Sequence, residues 1–490
     1  MPITEEQISA IVDRVVNKLA AAQEQAKEGG AAATRPKPGP PESSPTAAPS
    51  SVEGGIGCFP DIDSAVKAAE KAYWEFKDVP LWQRQKIIAA IRELCGKHLA
   101  EISTMGVNET GMGRVEDKVR KNRAAIEKTP GIEDLEPIAL TGDHGLTLME
   151  RAPYGVIGSI TPSTNSSETA LCNGIGMIAG GNTITFCPHP SARKTTVYTI
   201  HLMNQAVLSE GGPPNLLTTI AEPTIETAQQ LMKHPGIGLL VVTGGPGVVA
   251  TAMKSGKRVV AAGPGNPPVV VDETADPDKA ARDIVTSAST DNNIICVIEK
   301  EIIATRAAAD ALKKALVRHG CFELNTYQAQ RLEKIVVAED GRGPNKKWVG
   351  KDVQLILKQI GIDCDPAKRL AITETGPDHP FARLELLMPV VPFIRVDTFE
   401  QAMELAYKLE DGCFHTAAIH SNMIDRLHRM AIKMNTSIFV KNGPALAGLG
   451  LEGEGPTSFT IASPTGEGVT TARHFTRIRR CVVSGYFRIV

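Results

Sequence analysis

The sequence lacks a dominant charge: 53 Lys and Arg stand against 55 Asp and Glu, a formal net charge of −2. That balance removes the electrostatic case for nucleic acid or an anionic membrane as a partner. The nine cysteines (Cys58, Cys95, Cys172, Cys187, Cys296, Cys321, Cys364, Cys413 and Cys481) include no Cys-x-x-Cys pair and no Cys/His cluster at zinc spacing. Common zinc motifs are thereby excluded, and the scattered placement predicts reduced thiols in a cytosol-like compartment. Also missing are an apolar run near the roughly 20 residues of a membrane span and the basic-then-apolar start of a secretory signal. What remains, 42% hydrophobic and 22% charged over 490 residues, is an ordinary globular composition long enough for two or three domains. Small-molecule chemistry is the expectation.

The first 55 residues differ from the rest. Between Thr4 and Gln23 the residues Ile8, Ile11, Val12, Val15, Val16 and Leu19 recur at helical spacing, with Glu5, Glu6, Asp13, Arg14 and Lys18 on other faces. This predicts an amphipathic helix over 1–23, capped by Thr4. Residues 24–55, rich in Ala, Pro, Gly and Ser, predict a flexible linker. A helix on such a tether is expected to dock on a partner surface; the alternative is that it folds back on the body. Its acidic residues argue against a mitochondrial transit peptide.

Asp61–Phe76 and Leu81–Leu99 predict two amphipathic scaffold helices, and a charged helical run ends at Pro130-Gly131. From Glu150 to about Ser255, apolar runs at Gly155–Ile160, Thr183–Phe186, Leu216–Ile220 and Gly238–Val242 alternate with helical segments. That pattern predicts a parallel sheet with helices on both faces. Such sheets bind ligands beyond the carboxyl ends of their strands, where three loaded loops fall: Thr161-Pro162-Ser163-Thr164-Asn165, Cys187-Pro188-His189-Pro190-Ser191 and Thr243-Gly244-Gly245-Pro246-Gly247. The last opens a helix with Gly245-x-Gly247-x-x-Ala250, so its N–H groups can face a pyrophosphate. A plain turn explains the same residues. Asn165 reads either as a loop-capping amide or as an N–H donor to an oxyanion.

Ser289-Thr290-Asp291-Asn292-Asn293-Ile294-Ile295-Cys296 carries a small-polar run into an apolar segment, an odd way to build a core, because buried Asp and Asn need partners. Cys296 is the candidate nucleophile; the alternative is a small buried apolar residue.

With these stretches in order, the chain from about Gly57 onward resembles the NAD(P)-dependent aldehyde dehydrogenase superfamily, and more narrowly its CoA-acylating branch found in bacterial microcompartments. The likeness also rests on Glu109-Thr110-Gly111-Met112-Gly113, Gly263-Pro264-Gly265-Asn266-Pro267-Pro268, Glu385-Leu386-Leu387-Met388-Pro389-Val390 and His415-Thr416-Ala417. The resemblance implies an α/β fold: a Rossmann-like parallel-sheet NAD domain (56–134 and 151–262), a second α/β catalytic domain (263–455) and a small β oligomerisation arm (135–150 and 470–490). It implies that Cys296 is the nucleophile and that Asn165 and the Cys296 N–H form an oxyanion hole. It places NAD on Thr161, Pro162, Pro188, His189, Pro190, Thr243, Gly244 and Gly245, with Glu385 on the nicotinamide ribose; a salt bridge from Glu385 to Arg383 or Arg395 is the alternative. His415 stays outside the implied catalytic set.

One departure is informative. Hydrolytic members carry Glu-Leu-Gly-Gly-Lys where this chain has Ala262-Gly263-Pro264-Gly265-Asn266. Without that glutamate water attacks a thioester slowly, whereas a thiol acceptor is a strong nucleophile. Coenzyme A is therefore the expected acyl acceptor, and the resemblance implies propionaldehyde as the aldehyde. A hydrolytic dehydrogenase, a non-catalytic compartment scaffold and a dinucleotide-binding module of other chemistry are the alternatives. Further expectations are a homo-oligomer built through the β arm, residues 1–23 docked on a microcompartment shell or cargo protein, and a cytoplasmic location inside the compartment.

Overall fold

The computed structural model describes residues 55–490. The helix expected over 1–23 and all but the last residue of the linker expected over 24–55 lie outside them.

The described chain opens with β1 (Cys58–Phe59) and four helices, α1 (Ile62–Phe76), α2 (Leu81–Lys97), α3 (Leu99–Thr110) and α4 (Val115–Lys128). Asp61 caps α1 by accepting the Ser64 N–H at 2.8 Å, and α1 buries Ile62, Val66, Ala69 and Phe76. Each large apolar side chain buried this way stabilises by about 1.5–3 kcal/mol. Tyr73, on the same face, is only partly buried. α4 is unusual: its inward face carries Asp117, Lys118, Lys121 and Asn122, charges that are buried only when paired.

A hairpin follows, β2 (Ile138–Gly142) and β3 (Gly145–Pro153). Then strands and helices alternate: β4 (Val156–Thr161), α5 (Ser166–Ala179), β5 (Thr183–Pro188), α6 (Arg193–Ser209), β6 (Leu217–Ile220), α7 (Ile225–Lys233), β7 (Ile237–Thr243), α8 (Pro246–Met253) and β8 (Val259–Ala262). β1 and β4–β8 form a parallel sheet in the order β1-β6-β5-β4-β7-β8. β4 and β5 are buried along their whole length, because Ile157 and Phe186 pack on one face while Ile160 and Cys187 pack with Val66, Leu231 and Val249 on the other. Successive strands run outward from β4 in both directions, so its carboxyl end, beside β7, is the switch point where such sheets open a crevice.

The second half contains β9 (Pro268–Val271), α9 (Pro277–Ala288), β10 (Glu301–Thr305), β11 (Cys321–Leu324), β12 (Leu370–Glu374), β13 (Val390–Val396), β14 (Thr416–His420) and β15 (Ile438–Lys441). Its seven strands form a parallel sheet in the order β11-β12-β13-β10-β9-β14-β15. The apolar run Leu386–Phe393 is strand only from Val390 onward. Pro389 has no N–H to give a ladder, and Leu387 turns the chain with φ 54°.

The chain then returns to the first sheet, and β16 (Ile461–Ala462) pairs with β17 (Gly468–Val469). The last strand, β18 (Thr476–Ser484), pairs antiparallel with β3, from Thr476 opposite Pro153 to Ser484 opposite Gly145. Of the arm expected over 470–490, only Thr476–Ser484 forms the ladder, which stops at Gly145, where β3 itself begins. Ile138, Leu140, Ile478 and Val482 remain exposed on this three-stranded sheet. Among the described residues no helix is long and apolar enough to cross a membrane.

Candidate active site

Eight of the residues expected to hold a dinucleotide gather at one edge of the first sheet. Thr161 ends β4, Pro188 ends β5 and Thr243 ends β7, each followed by its loop. The loops are tied together: the His189 N–H donates to the Thr161 carbonyl at 3.1 Å and the Gly244 N–H to the Ala262 carbonyl at 3.2 Å. His189 Nδ1 accepts the Ser191 N–H at 3.2 Å, capping the turn Pro190–Ala192. A β-carbon added at Gly245 or Gly247 would meet nothing within 4 Å, so the mouth of α8 is open to a ligand. Thr161 Oγ1 is buried without a partner. An open glycine turn at a helix N-terminus beside an orphaned hydroxyl fits a dinucleotide.

Glu385 lies elsewhere, in the second half of the fold. Arg383 pairs with Asp378, and Arg395 with Glu374 and Asp310, so neither arginine is its partner. The Glu385 carboxylate accepts the Gly265 N–H, and Gly265 packs on the Cys296 carbonyl, 2.8 Å from where its β-carbon would stand. Glu385 therefore belongs to the surroundings of Cys296.

The cysteine loop is built on a rare backbone. Asp291, Asn292 and Asn293 are consecutive left-handed residues with φ of 49°, 54° and 65°. Left-handed geometry costs roughly 1–2 kcal/mol per residue, less for Asp and Asn, and persists only where the surroundings impose it. Here they do. The Asp291 carboxylate takes Lys118 Nζ at 3.1 Å, Lys121 Nζ, and the Arg114 N–H at 2.9 Å. The Asn292 amide donates to the Gly350 carbonyl at 2.9 Å and accepts from Arg114 Nε at 3.0 Å. Asn293 donates to the carbonyls of Ala288 and Glu299 at 2.7 and 3.1 Å. Lys300, buried, gives its ammonium to the Asn293 carbonyl (2.6 Å), Asn293 Oδ1 (2.7 Å) and the Ile295 carbonyl (3.1 Å).

Six of the nine cysteines are buried, whereas Cys296 and Cys413 are partly buried and Cys481 is exposed. Burial, with Glu385 adding, pushes the Cys296 thiol up to about 12, against the pull of Lys300 and Lys121. Burial raises Glu385 to about 7, opposed by Lys300, and lowers Lys300 to about 8. The resting sulfur is a thiol, and its proton must leave as it attacks.

Asn165 stands at the N-cap of α5 without capping it through its side chain, so the capping alternative does not describe it. Its Oδ1 accepts Lys121 Nζ at 2.6 Å and its Nδ2 donates to Thr164 Oγ1 at 3.2 Å. Lys121 thus connects Asn165 directly to Asp291 of the cysteine loop.

Three features escaped sequence reasoning. Lys118 and Lys121 sit more than 40 residues from their partners, and only the burial of α4 identifies them. His415, set aside on sequence, lies against Gly265 beside the Cys296 carbonyl; its Nε2 is buried and unpartnered, and burial holds it at about 4, hence neutral. Glu109 is structural: its carboxylate accepts the N–H groups of Lys194 and Thr195 at 2.7 Å each, at the start of α6.

An open glycine turn stands at the edge of one parallel sheet, and a cysteine loop carried by a second is linked to the first through Lys121. The chain belongs to the aldehyde dehydrogenase family, whose pattern matches residues 59–320. It is 52% identical over 447 residues to the acetaldehyde dehydrogenase (acetylating) EutE of Salmonella typhimurium, covering 90% of this chain and 95% of that protein. The crystal structure of Rhodopseudomonas palustris propionaldehyde dehydrogenase with bound CoA and an acylated cysteine is 46% identical, with a TM-score of 0.86 over 88% of this chain and 98% of that one. A propionaldehyde dehydrogenase from the Clostridium phytofermentans fucose utilisation bacterial microcompartment is 46% identical, with a TM-score of 0.87 over 89% and 100%.

Proposed function

We propose that the protein is a CoA-acylating aldehyde dehydrogenase that converts a short-chain aldehyde, CoA and NAD to the acyl-CoA and NADH. The Cys296 thiol loses its proton to solvent as its sulfur adds to the aldehyde carbonyl. The developing oxyanion is met by Asn165 Nδ2–H and the Cys296 N–H, donors typically worth a few kcal/mol each. NAD, held by Thr161, Pro162, Pro188, His189, Pro190, Thr243, Gly244 and Gly245 with Glu385 at its nicotinamide ribose, supplies the hydride acceptor. Loss of hydride leaves a thioester on Cys296. The CoA thiol passes its proton to His415 Nε2 and attacks the thioester, and the departing Cys296 thiolate takes that proton from His415, closing a ping-pong cycle.

The observation that carries the acceptor choice is Ala262. It ends β8 buried, three residues before the glycine that touches the Cys296 carbonyl, and offers no carboxylate to activate water. The relatives are named for acetaldehyde and for propionaldehyde; propionaldehyde remains the proposed substrate. A steady-state assay over C2 to C5 aldehydes, with and without CoA, tests both points. Rapid NADH formation in the absence of CoA means hydrolysis and refutes the acylating assignment.

Two assembly roles complete the reading. The exposed apolar edge of β2, β3 and β18 is the surface for a second copy, since unpaired edges invite pairing. Residues 1–23 serve as the docking segment that places the enzyme in a bacterial microcompartment; deleting them is expected to leave kinetics intact while releasing the enzyme from the compartment.

A further inference from the structure

Lys121 is fully buried, and an ammonium donates hydrogen bonds but accepts none. Its hydrogen-bond acceptors are Asn165 Oδ1 at 2.6 Å and the Asp291 carboxylate, and it forms an ion pair with Glu168 Oε1 at 3.0 Å. An asparagine amide has a carbonyl end and an NH2 end, and facing Lys121 fixes which is which. The carbonyl must point at the ammonium, so the NH2 points away. One of its N–H groups is taken by Thr164 Oγ1 at 3.2 Å, leaving the other for the substrate oxygen. One helical turn earlier, Lys118 holds the Thr164 carbonyl at 3.1 Å, so the backbone around Asn165 is fixed from the same helix. Asp291 keeps Lys118 and the Arg114 N–H as partners without Lys121. The cysteine loop therefore does not depend on Lys121 alone, whereas the Asn165 carbonyl does. An apolar side chain would fill the same space; only a donor-only group at this point selects one orientation of the amide.

We propose that Lys121 is the positioning residue of the oxyanion hole, acting through Asn165 by holding its amide with the NH2 group toward the substrate. This rests on the assignment of Asn165 as an oxyanion donor under the proposed function. The test is a double-mutant cycle: Lys121→Met, Asn165→Ala and the pair, measured as kcat/KM for aldehyde at saturating NAD and CoA on folded protein. Removing an oxyanion donor costs about 10²–10³-fold, so Asn165→Ala is expected to lose that factor and Lys121→Met about 10²-fold. Added to Asn165→Ala, Lys121→Met is expected to cost less than about threefold more, because its target is gone. The KM for NAD should stay within about twofold in Lys121→Met, since the dinucleotide loops are untouched.

Equal losses from Lys121→Met in both backgrounds would show a merely structural lysine and overturn the inference, as would a loss below about threefold in the otherwise native enzyme. Lys121→Met strands the Glu168 carboxylate; if it fails to fold, the same cycle is run with Lys121→Met/Glu168→Gln against Glu168→Gln. Full activity of Asn165→Ala on its own would remove the site assignment, and the inference with it.

Discussion

Gly113 is the tightest contact behind the cysteine loop. It adopts φ +78°, and a β-carbon there would stand 1.9 Å from Asp291 Oδ1 and 2.7 Å from its Cγ. Gly113→Ala therefore carries two penalties. The left-handed backbone costs roughly 1–2 kcal/mol, and the displaced carboxylate loses charge-assisted hydrogen bonds worth about 1.5–3 kcal/mol. Gly341 supplies the internal control, because it has φ +67° with nothing within 4 Å of its added β-carbon; Gly341→Ala pays only the first penalty. A two-domain chain does not unfold in one step, so thermal-inactivation rates of the two variants are compared under identical conditions. Gly113→Ala should be the less stable by about 2 kcal/mol and should lose at least about tenfold in kcat/KM, since each 1.4 kcal/mol of misplacement carried into the transition state is tenfold. Gly341→Ala should keep full activity. Matching inactivation rates and matching kcat/KM for the two alanines would refute the claim that Gly113 makes room for Asp291.

Cys296→Ala should abolish NADH formation, and the native enzyme without CoA should release about one NADH per site and stop, as read by stopped-flow absorbance. Ala262→Glu should restore slow CoA-independent turnover by placing a carboxylate at the end of β8; no gain in carboxylate product would detach Ala262 from acceptor choice. His415→Ala should leave the first NADH burst intact and slow acyl transfer to CoA by about 10²-fold or more; equal slowing of both steps would remove its role as base. Burial holds His420 down at about 4 against about 6.5 when unfolded. The unfolded chain therefore binds this proton first as pH falls, and native stability should drop between pH 6.5 and 4 by up to about 3 kcal/mol. His420→Asn should flatten that part of the stability profile without changing turnover, and an unchanged profile would contradict it.

Much of the frame was legible because it rests on local signals. Strand and helix periods between Glu150 and Ser255 placed β4 to β7 within one or two residues, and the polar run before Cys296 marked its loop as unlike a core segment. The four-residue strand β8 gave no periodic signal, and Pro389 shifted β13 away from the apolar run that suggested it. Less local features were invisible. Lys121 reaches Asn165 across 44 residues and Asp291 across 170, and no spacing rule covers such distances. The left-handed conformation of three residues that are not glycine is likewise imposed by partners from elsewhere, so nothing in Asp291-Asn292-Asn293 announces it. His415 stood outside the expected set because nothing in the sequence shows that its ring packs on Gly265 beside the Cys296 carbonyl or that its Nε2 is buried without a partner.

The turn that aims Cys296 also bears on how freely this enzyme's halves can be exchanged. The two cations that take the Asp291 carboxylate, Lys118 and Lys121, come from α4 on the cofactor side of the molecule, although the cysteine itself belongs to the other half. A catalytic half cut out or grafted onto a foreign cofactor domain would keep its seven-stranded sheet and Lys300 but lose both cations at Asp291. The turn would then be held only from the Asn292 and Asn293 side. The two halves are thus modular in architecture and inseparable in chemistry, and they are expected to pass between proteins only as a pair.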